Sequence, residues 1–362
     1  MTSIGRFIEL KNAWEELIDI SECIPVCLNW DWMHLWWKHF HTSEMELVLL
    51  FVQKQSEVVG IFPLVKIPTK NREILHFMGT GEDEAEEITS EYIDIISKPG
   101  YEKNVCRIVV NYLTNDYTDW DELNLSRYNQ DSNIVKHFID EANFKEAKCL
   151  ETLSGYRHFI NLNKDYQYYT EQQTRSFRKK LVKNKSKLLG KGKVDFKLIA
   201  KEDKALHILN HLKELHLKRS EYLGRKSAFE SDIFIAFHLE YMQLMAKKQQ
   251  LHLGVLYLEE KIISVEYNFK IGKSSYAYQG SFENDYKKLS IGFLSINFMI
   301  ENAILNKLNI FDFMMNDENS YANFYGCSKS PIYSCRIFNR SLPNYCIYNI
   351  LKLKAWIKIL VK

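Results

Sequence analysis

Residues 263–315 constrain the fold more than any other part of this sequence. Two runs, residues 263–271 and 275–282, have strand-like patterns and predict adjacent antiparallel strands. A polar loop, a helix beginning at Ser290-Ile291-Gly292 and a strand over residues 310–315 follow. The first turn of such a helix has unpaired backbone N–H groups, which can hold a phosphate-bearing or acyl-bearing molecule without a metal ion. The segment therefore predicts an α/β fold with a binding site at a helix N-terminus.

The chain, with 362 residues of which 46% are hydrophobic, is long enough for two well-cored domains. Its 48 basic and 46 acidic residues nearly cancel, so the net charge indicates no particular class of partner. The seven cysteines include no Cys-x-x-Cys pair and no zinc-like spacing, which predicts reduced thiols and no metal. With neither a signal-peptide pattern nor an apolar run of about 18 residues, we expect a cytoplasmic protein.

A strand–turn–strand pattern occurs twice in the sequence. Residues 46–67 form the first copy and residues 251–271 form the second. Each copy is followed by a third apolar run that ends in glycine, at Gly79 and at Gly280. Two copies of one supersecondary unit predict a duplicated fold rather than a solenoid, which needs three or more short repeats.

Basic residues are concentrated between the two copies. Residues 172–193 are rich in Lys and Arg, contain no acid downstream of Gln172, and stop at Gly190 and Gly192. This pattern predicts a basic helix with a glycine-terminated end. Such a helix could hold the phosphates of a nucleotide, an anionic polysaccharide intermediate or tRNA, or be a solvated linker.

The end of the chain predicts an apolar helix that carries lysines. Residues 345–362 place Lys354, Lys358 and Lys362 along one line, with apolar residues over the rest. The helix either lies on a membrane surface or packs on the second domain.

Several short motifs follow one another in a specific order. They are Gly60-x-x-Pro63-Leu64, Ser90-Glu-Tyr-Ile-Asp94, Arg175-x-x-Arg178-Lys-Lys-Leu, Ser290-x-Gly292-x-Leu294, Phe311-Asp312-Phe313 and the loop Asn316-Asp-Glu-Asn-Ser-Tyr321, which runs to Gly326. In this order they resemble the CelD-like acyltransferases of the GNAT class, found in bacteria beside exopolysaccharide and cellulose genes. That family is similar in plan to the Fem peptidyltransferases, which have two GNAT-like domains and use aminoacyl-tRNA as donor. The resemblance covers most of the chain.

Two positions depart from the family pattern. The family loop often reads Gly-Asp-x-x-Tyr-Lys, whereas this chain has Asn316 in place of the glycine and Ala322 in place of the lysine. The family Ser-Pro-Gly is Ser290-Ile291-Gly292 here, which leaves the turn intact. The missing lysine keeps open a third possibility, a scaffold of this fold without chemistry.

The resemblance implies tandem GNAT-like domains, each a mixed, mostly antiparallel sheet flanked by helices. The implied divisions are an N-terminal degenerate domain of residues 1–155, a C-terminal acyltransferase domain of residues 156–340 that includes the basic helix 172–193, and an amphipathic tail helix of residues 341–362. In GNAT families coenzyme A docks on splayed strands and on the N-terminus of the following helix. Here those elements correspond to the 251–271 hairpin and to the turn at 290–294.

Four residues are candidates for the acid–base chemistry of acyl transfer. A carboxylate in an apolar strand must face a cleft, form an ion pair or have a raised pKa, so Glu266 and Asp312 are candidate bases. Glu266 could instead face outward from an alternating strand, whereas Asp312 is expected to face solvent or a cleft. Tyr321 or Tyr325 could protonate a leaving thiolate, and the alternative for both is a role in the turn.

The remaining candidates are assigned to binding. The donor set is Ser290, Gly292, Phe293, Leu294 and Arg178. The acceptor set is Tyr278, Gln279, Asp317 and Tyr92, although aromatic residues on the third strand, such as Tyr278, are alternatively part of the core.

The expected function is transfer of an acyl group, acetyl in the simplest case, from acyl-coenzyme A to an amine or hydroxyl of a cell-envelope or polysaccharide precursor. The enzymatic alternative is Fem-like transfer from aminoacyl-tRNA, the only reading in which a nucleic acid takes part. The expected location is the cytoplasm, with peripheral contact at the inner face of the membrane through residues 345–362.

Overall fold

The computed structural model describes residues 3–360, so Lys362 of the predicted tail helix lies outside the described residues. The helices are α1 (Ile4–Glu9), α2 (Lys11–Ile20), α3 (Trp30–Phe40), α4 (Glu102–Asn111), α5 (Ile139–Phe144), α6 (Tyr166–Gln172), α7 (Arg175–Leu189), α8 (Glu202–Leu223), α9 (Asp232–Lys247), α10 (Ile291–Leu305) and α11 (Leu342–Leu360). The strands are β1 (Glu46–Lys54), β2 (Glu57–Thr69), β3 (Arg72–Phe77), β4 (Ile96–Ser97), β5 (Glu122–Asn129), β6 (Lys148–Asn161), β7 (Val194–Ile199), β8 (Leu251–Leu258), β9 (Lys261–Ile271), β10 (Ser274–Phe282), β11 (Ile310–Asn316) and β12 (Ser328–Phe338).

The chain divides into two compact units that are not contiguous in sequence. Within the described residues, unit 1 contains residues 3–82, 88–155 and 331–360, and unit 2 contains residues 83–87 and 156–330. The sequence-based division placed residues up to 340 in the second domain and the tail helix apart from both. The structure assigns this last part of the chain to unit 1 because β12 pairs with β5 in antiparallel register.

Unit 1 has the strand order β1-β2-β3-β5-β12, with β4 paired to β2. Only the β3–β5 pair is parallel, and the other neighbours are antiparallel. Helix α3 begins where the Asn29 side chain accepts the N–H of Trp32, and it buries Trp32 and Trp36 completely. These indole rings explain part of the high aromatic content of the sequence.

Unit 2 has the strand order β7-β8-β9-β10-β11-β6. Its β10–β11 pair is parallel and its other pairs are antiparallel, as in unit 1. Strand β9 is buried along most of its length because α9 covers one face, through His238 against Tyr267, and α10 covers the other, through Ser295 beside Glu266. The matching strand orders confirm the duplicated α/β fold.

The registers of the two sheets identify equivalent positions. In the two parallel strand pairs, His76 of β3 and Tyr276 of β10 occupy equivalent positions. The antiparallel registers of β2 with β3 and of β9 with β10 then place Phe62 of unit 1 at the position that Glu266 has in unit 2. Phe62 is completely buried. Unit 1 therefore has an aromatic core residue at the position of the candidate base.

The predicted basic helix is present as α7 and is shorter than residues 172–193. It begins after Thr174, whose hydroxyl accepts the N–H of Phe177, and it ends at Gly190. The upstream part of the predicted span belongs to α6, which ends at Gln172. No helix in the described chain is long and apolar enough to cross a membrane.

Candidate functional site

A cleft opens in unit 2 where β10 and β11 separate. The two strands pair at only three positions, from Ser274 with Ile310 to Tyr276 with Asp312. Beyond these positions each strand has a bulge, between Ala277 and Gln279 in one and after Asp312 in the other. The splayed strands are therefore β10 and β11. The sequence-based expectation of splaying in the 251–271 hairpin is wrong, because β8 and β9 pair along their length with one register shift at Leu256/Tyr257.

Asp312 shapes this bulge and is closed off from solvent. Its carboxylate accepts hydrogen bonds from Arg157 Nε, at 2.7 Å, and from the backbone N–H of Met314, at 2.8 Å. Met314 has a positive φ of 60°, a conformation that a side chain disfavours and that this hydrogen bond supports. The expectation that Asp312 faces solvent or a cleft is wrong, because it is completely buried and forms an ion pair with Arg157.

The cleft leads into a cavity of about 680 Å³. It is lined by residues from β9 and β10, from the start of α10, from the 3-10 turn Tyr321–Tyr325 and from α7 and α8. The predicted site residues that the structure brings together on its wall are Glu266, Tyr278, Gln279, Ser290, Gly292, Phe293, Tyr321 and Tyr325.

Glu266 is the buried carboxyl of this cavity, and only 8% of the residue is exposed. It has a glycine as cross-strand partner on each side, Gly254 on β8 and Gly280 on β10. A Cβ atom at Gly280 would collide with the Glu266 carboxyl, so the glycine makes room for the acid. Burial raises the pKa of Glu266 to about 8, with Ser295 and Ser264 beside it opposing the rise.

Asn268 is a second buried polar residue of the cavity wall and is not among the site residues predicted from the sequence. It lies two residues after Glu266 on the same face of β9, and it is 1% exposed. Its Nδ2 donates to Ser275 Oγ at 3.2 Å, whereas its Oδ1 has no hydrogen-bond partner among residues 3–360. The signal that could have identified it is the alternation of the strand, which places the polar residues Ser264, Glu266 and Asn268 on one face.

The aromatic residues of the wall form one cluster around the start of α10. The Phe293 ring lies 5.6 Å from the ring of Tyr325 and 5.1 Å from that of Phe177. Burial raises the pKa of the Tyr325 phenol, so this group is protonated and a potential proton donor at neutral pH. Tyr321, by contrast, is 57% exposed at the cavity edge.

The N-terminus of α10 contributes backbone donors. Ser290 precedes the helix in a left-handed conformation with φ of 53°, and its side chain does not cap the helix. The Leu294 N–H donates to Ser290 O, which is the first hydrogen bond of the helix. The backbone N–H groups of the three residues before Leu294 have no acceptor within the helix and can donate to a bound molecule. The space beside Gly292 is closed on one side, because a Cβ there would be 2.8 Å from the Phe282 ring.

Three cationic side chains lie around the same cavity, each from a different element. Lys180 Nζ lies 4.7 Å from the centres of the Phe293 and Phe324 rings, and the Arg219 guanidinium lies 4.4 Å from that of Phe282. Lys287 donates to Tyr222 Oη. Together with the helix N-terminus, these cations can hold phosphate groups. Within the described residues, no group of His, Cys, Asp and Glu could hold a metal ion.

The remaining predicted site residues lie elsewhere. Leu294 is a core residue of α10, and Asp317 is exposed in the loop after β11 and does not line the cavity. Arg178 donates from Nη1 to the carbonyl oxygens of Glu171 and Gln173 at the end of α6. Tyr92 is a buried residue of unit 1.

Tyr278 contributes to the wall differently from the expectation that its hydroxyl faces an acyl group. It lies at the bulge of β10, and its Oη is 3.1 Å from Nε2 of the buried His238 on α9. Burial lowers the pKa of His238 to about 3, so the ring is neutral at physiological pH. The hydroxyl of Tyr278 is thus held by α9.

Comparison with known proteins agrees with this fold. Residues 175–322 match the family model described as an acetyltransferase (GNAT) domain. No curated protein matches the chain significantly. The family match lies within unit 2 and includes the 3-10 turn up to Ala322.

Solved structures of similar fold cover nearly the whole chain. FemX has a TM-score of 0.66 at 10% identity, over 93% of this chain and 98% of that chain. L-PGS from Bacillus licheniformis has a TM-score of 0.54 at 10% identity, over 96% of both chains. The C-terminal domain of a putative lysylphosphatidylglycerol synthetase from Agrobacterium fabrum has a TM-score of 0.55 at 8% identity, over 96% of this chain and 97% of that one. The chain thus has the fold of these proteins, and within its second unit residues 175–322 match a GNAT acetyltransferase domain.

Proposed function

We propose that this protein transfers an acyl group from acyl-coenzyme A to an amine of a cell-envelope or polysaccharide precursor, with Glu266 as the general base. The observation that carries the proposal is the buried Glu266 carboxyl, with a pKa of about 8, on the wall of a cavity that also contains a free helix N-terminus. A base with a pKa near the working pH is suited to proton transfer.

The cavity wall supports an amine rather than a hydroxyl as acceptor. A primary amine has two N–H donors, which can reach both the Glu266 carboxylate and Asn268 Oδ1, whereas a hydroxyl has one O–H donor. The two residues are separated by about 7 Å along β9, the spacing of alternate residues in a strand. Two hydrogen bonds from one nitrogen span about 6 Å, so a small inclination of the two side chains toward each other lets one nitrogen reach both acceptors.

Different residues of the chain then have different roles in the reaction. Bound acyl-coenzyme A supplies the acyl group as a thioester. Lys180, Arg219 and the start of α10 hold its phosphates, and Asn268 orients the acceptor amine. Glu266 removes one proton from the amine nitrogen as that nitrogen attacks the carbonyl carbon, and the Tyr325 hydroxyl gives a proton to the thiolate that leaves.

The test combines donor binding with turnover. Isothermal titration should show acetyl-coenzyme A binding to the wild type and, within a few-fold, to Glu266→Gln. Release of free thiol with amine acceptors should fall about 10²-fold or more in Glu266→Gln. Full turnover in that variant would exclude Glu266 as the base, and absence of acetyl-coenzyme A binding to the wild type would refute the donor.

A second candidate function is transfer from aminoacyl-tRNA, and the exposed basic side of α7 favours it. Arg175, Lys179, Lys183 and Lys187 are exposed, whereas Phe177 and Leu188 on the other side are buried. Replacing Lys179, Lys183 and Lys187 by Gln should weaken tRNA binding and flatten its salt dependence by about two to three units of log K against log salt. Lys180→Gln, the matched change inside the cavity, should instead lower affinity for acetyl-coenzyme A. A wild type without tRNA affinity at low salt removes this candidate.

A further inference from the structure

Among the residues whose side chains the structure describes, helix α11 packs on unit 1 through one side. Asn344 is buried, and its Nδ2 donates to the carbonyl oxygen of Asn339. The Tyr348 ring lies 5.9 Å from the ring of Phe338 on β12. Tyr345 Oη donates to the carbonyl oxygen of Glu146 at 3.1 Å. These contacts fix which side of the helix faces outward.

The outward side of α11 is an apolar stripe. Cys346, Ile350, Leu353 and Ile357 are spaced by four, three and four residues, so they share one helix face, and all are exposed. Ile350 is 54% exposed, Leu353 55% and, at the edge of the stripe, Trp356 57%. An exposed, continuous apolar stripe of this kind marks an interaction surface.

Charge identifies the kind of surface that the stripe fits. The sequence from Leu342 to its end contains four lysines and no Asp or Glu. Lys354 is exposed and helix geometry places it beside the stripe, whereas the exposed Lys352 lies on the side of Tyr348, with its Nζ 5.7 Å from the centre of that ring. We infer that α11 docks the protein on an anionic lipid surface, with the stripe in the acyl-chain boundary and the lysines at the phosphates.

The same charges argue against a second copy of the chain as the occupant. A symmetric pairing of two α11 helices through the stripe would bring lysines of one copy beside lysines of the other. With no acidic residue in the helix, the two paired helices offer no partner for these charges. A layer of anionic lipid headgroups supplies a negative charge for every lysine.

Co-sedimentation of the full chain with vesicles tests the inference. Binding should require vesicles that contain phosphatidylglycerol, be weak with phosphatidylcholine alone, and fall as salt is raised. Lys354→Gln should lower affinity about fivefold, at roughly 1 kcal/mol for this lysine. Ile350→Asp with Leu353→Asp should lower it at least about tenfold without affecting the fold, because both residues are exposed.

A matched control distinguishes an effect of the apolar stripe from an effect of any exposed apolar side chain. Ile108→Asp changes an isoleucine of similar exposure, 48%, on α4 of the same unit, and should leave vesicle binding unchanged. Equal binding to neutral and anionic vesicles, or no binding to either, overturns the inference. So does a wild-type dimer in light scattering that becomes a monomer in the Ile350→Asp, Leu353→Asp variant. None of these measurements depends on acyl transfer, so they remain valid if the proposed reaction is wrong.

Discussion

Two opposing effects act on the carboxyl of Glu266. Burial favours the neutral acid, whereas removal of a proton from an amine requires the carboxylate. With a pKa of about 8, a minority of the molecules have a charged Glu266 at neutral pH. Turnover limited by this base should therefore rise as the pH increases through about 8.

The same pKa predicts how stability depends on pH. The ordinary pKa of 4.5 is raised to about 8 in the folded protein, so the stabilisation from the neutral acid is complete below about pH 4.5 and is lost as the pH rises through about 8. Urea unfolding from pH 5 to 9 should show the wild type losing up to about 4 kcal/mol relative to Glu266→Gln. Parallel curves for the two proteins would show that Glu266 is not held in its neutral form.

Asp312 illustrates a carboxylate with a structural role. Asp312→Asn should destabilise the protein by about 3 kcal/mol, because the variant leaves the charge of Arg157 without its carboxylate in a buried position. The control is Asp195→Asn, whose ion pair with Lys197 is exposed and should contribute less than about 1 kcal/mol. Similar unfolding midpoints for the two variants would contradict this assignment.

Among the elements, the pair β10 and β11 determines where the site lies. The strands separate because each has a bulge, and β10 places Gly280 opposite Glu266 at this point. The glycine therefore sets the position of the acid without taking part in chemistry.

Substitution of this glycine should affect activity through Glu266. In Gly280→Ala the new methyl group displaces the carboxyl, so turnover should fall about tenfold or more while donor affinity changes little. Gly190→Ala at the end of α7, where the nearest atoms to a new Cβ are 3.5 Å away, is the matched control and should retain turnover. Equal turnover in both variants would show that the carboxyl can move without consequence.

The sequence predicted the elements of unit 2 well because their signals are local. Alternating apolar residues identify β9 and β10, and the Ser290-x-Gly292 turn identifies the start of α10. The cleft was misplaced, and Asp312 was expected to be accessible, because bulges and the ion pair with Arg157 join residues far apart in sequence. Asn268 was missed because only the tertiary structure shows that its Oδ1 is buried without a partner.

At the scale of the whole molecule, the two units share a fold but differ in their candidate site residues. Phe62 stands where unit 2 has Glu266, and the residues of the 680 Å³ cavity all belong to unit 2. The protein should therefore bind one acetyl-coenzyme A for each chain. Isothermal titration should give this stoichiometry, and hydrogen exchange should show protection at residues 290–295 and none in residues 3–82. Two donors bound for each chain would contradict the prediction.

Strand β5 pairs with β12 rather than with β6, which follows it in sequence. This pairing has a consequence for the evolution of the protein and for the behaviour of its fragments. A single-unit ancestor with this connectivity would have closed its sheet with a strand from a second copy, as a strand-exchanged homodimer. Joining the two copies into one gene would produce the strand order seen today. It follows that residues 1–155 expressed alone expose the edge of β5, and that this fragment should become soluble when residues 156–362 are produced with it.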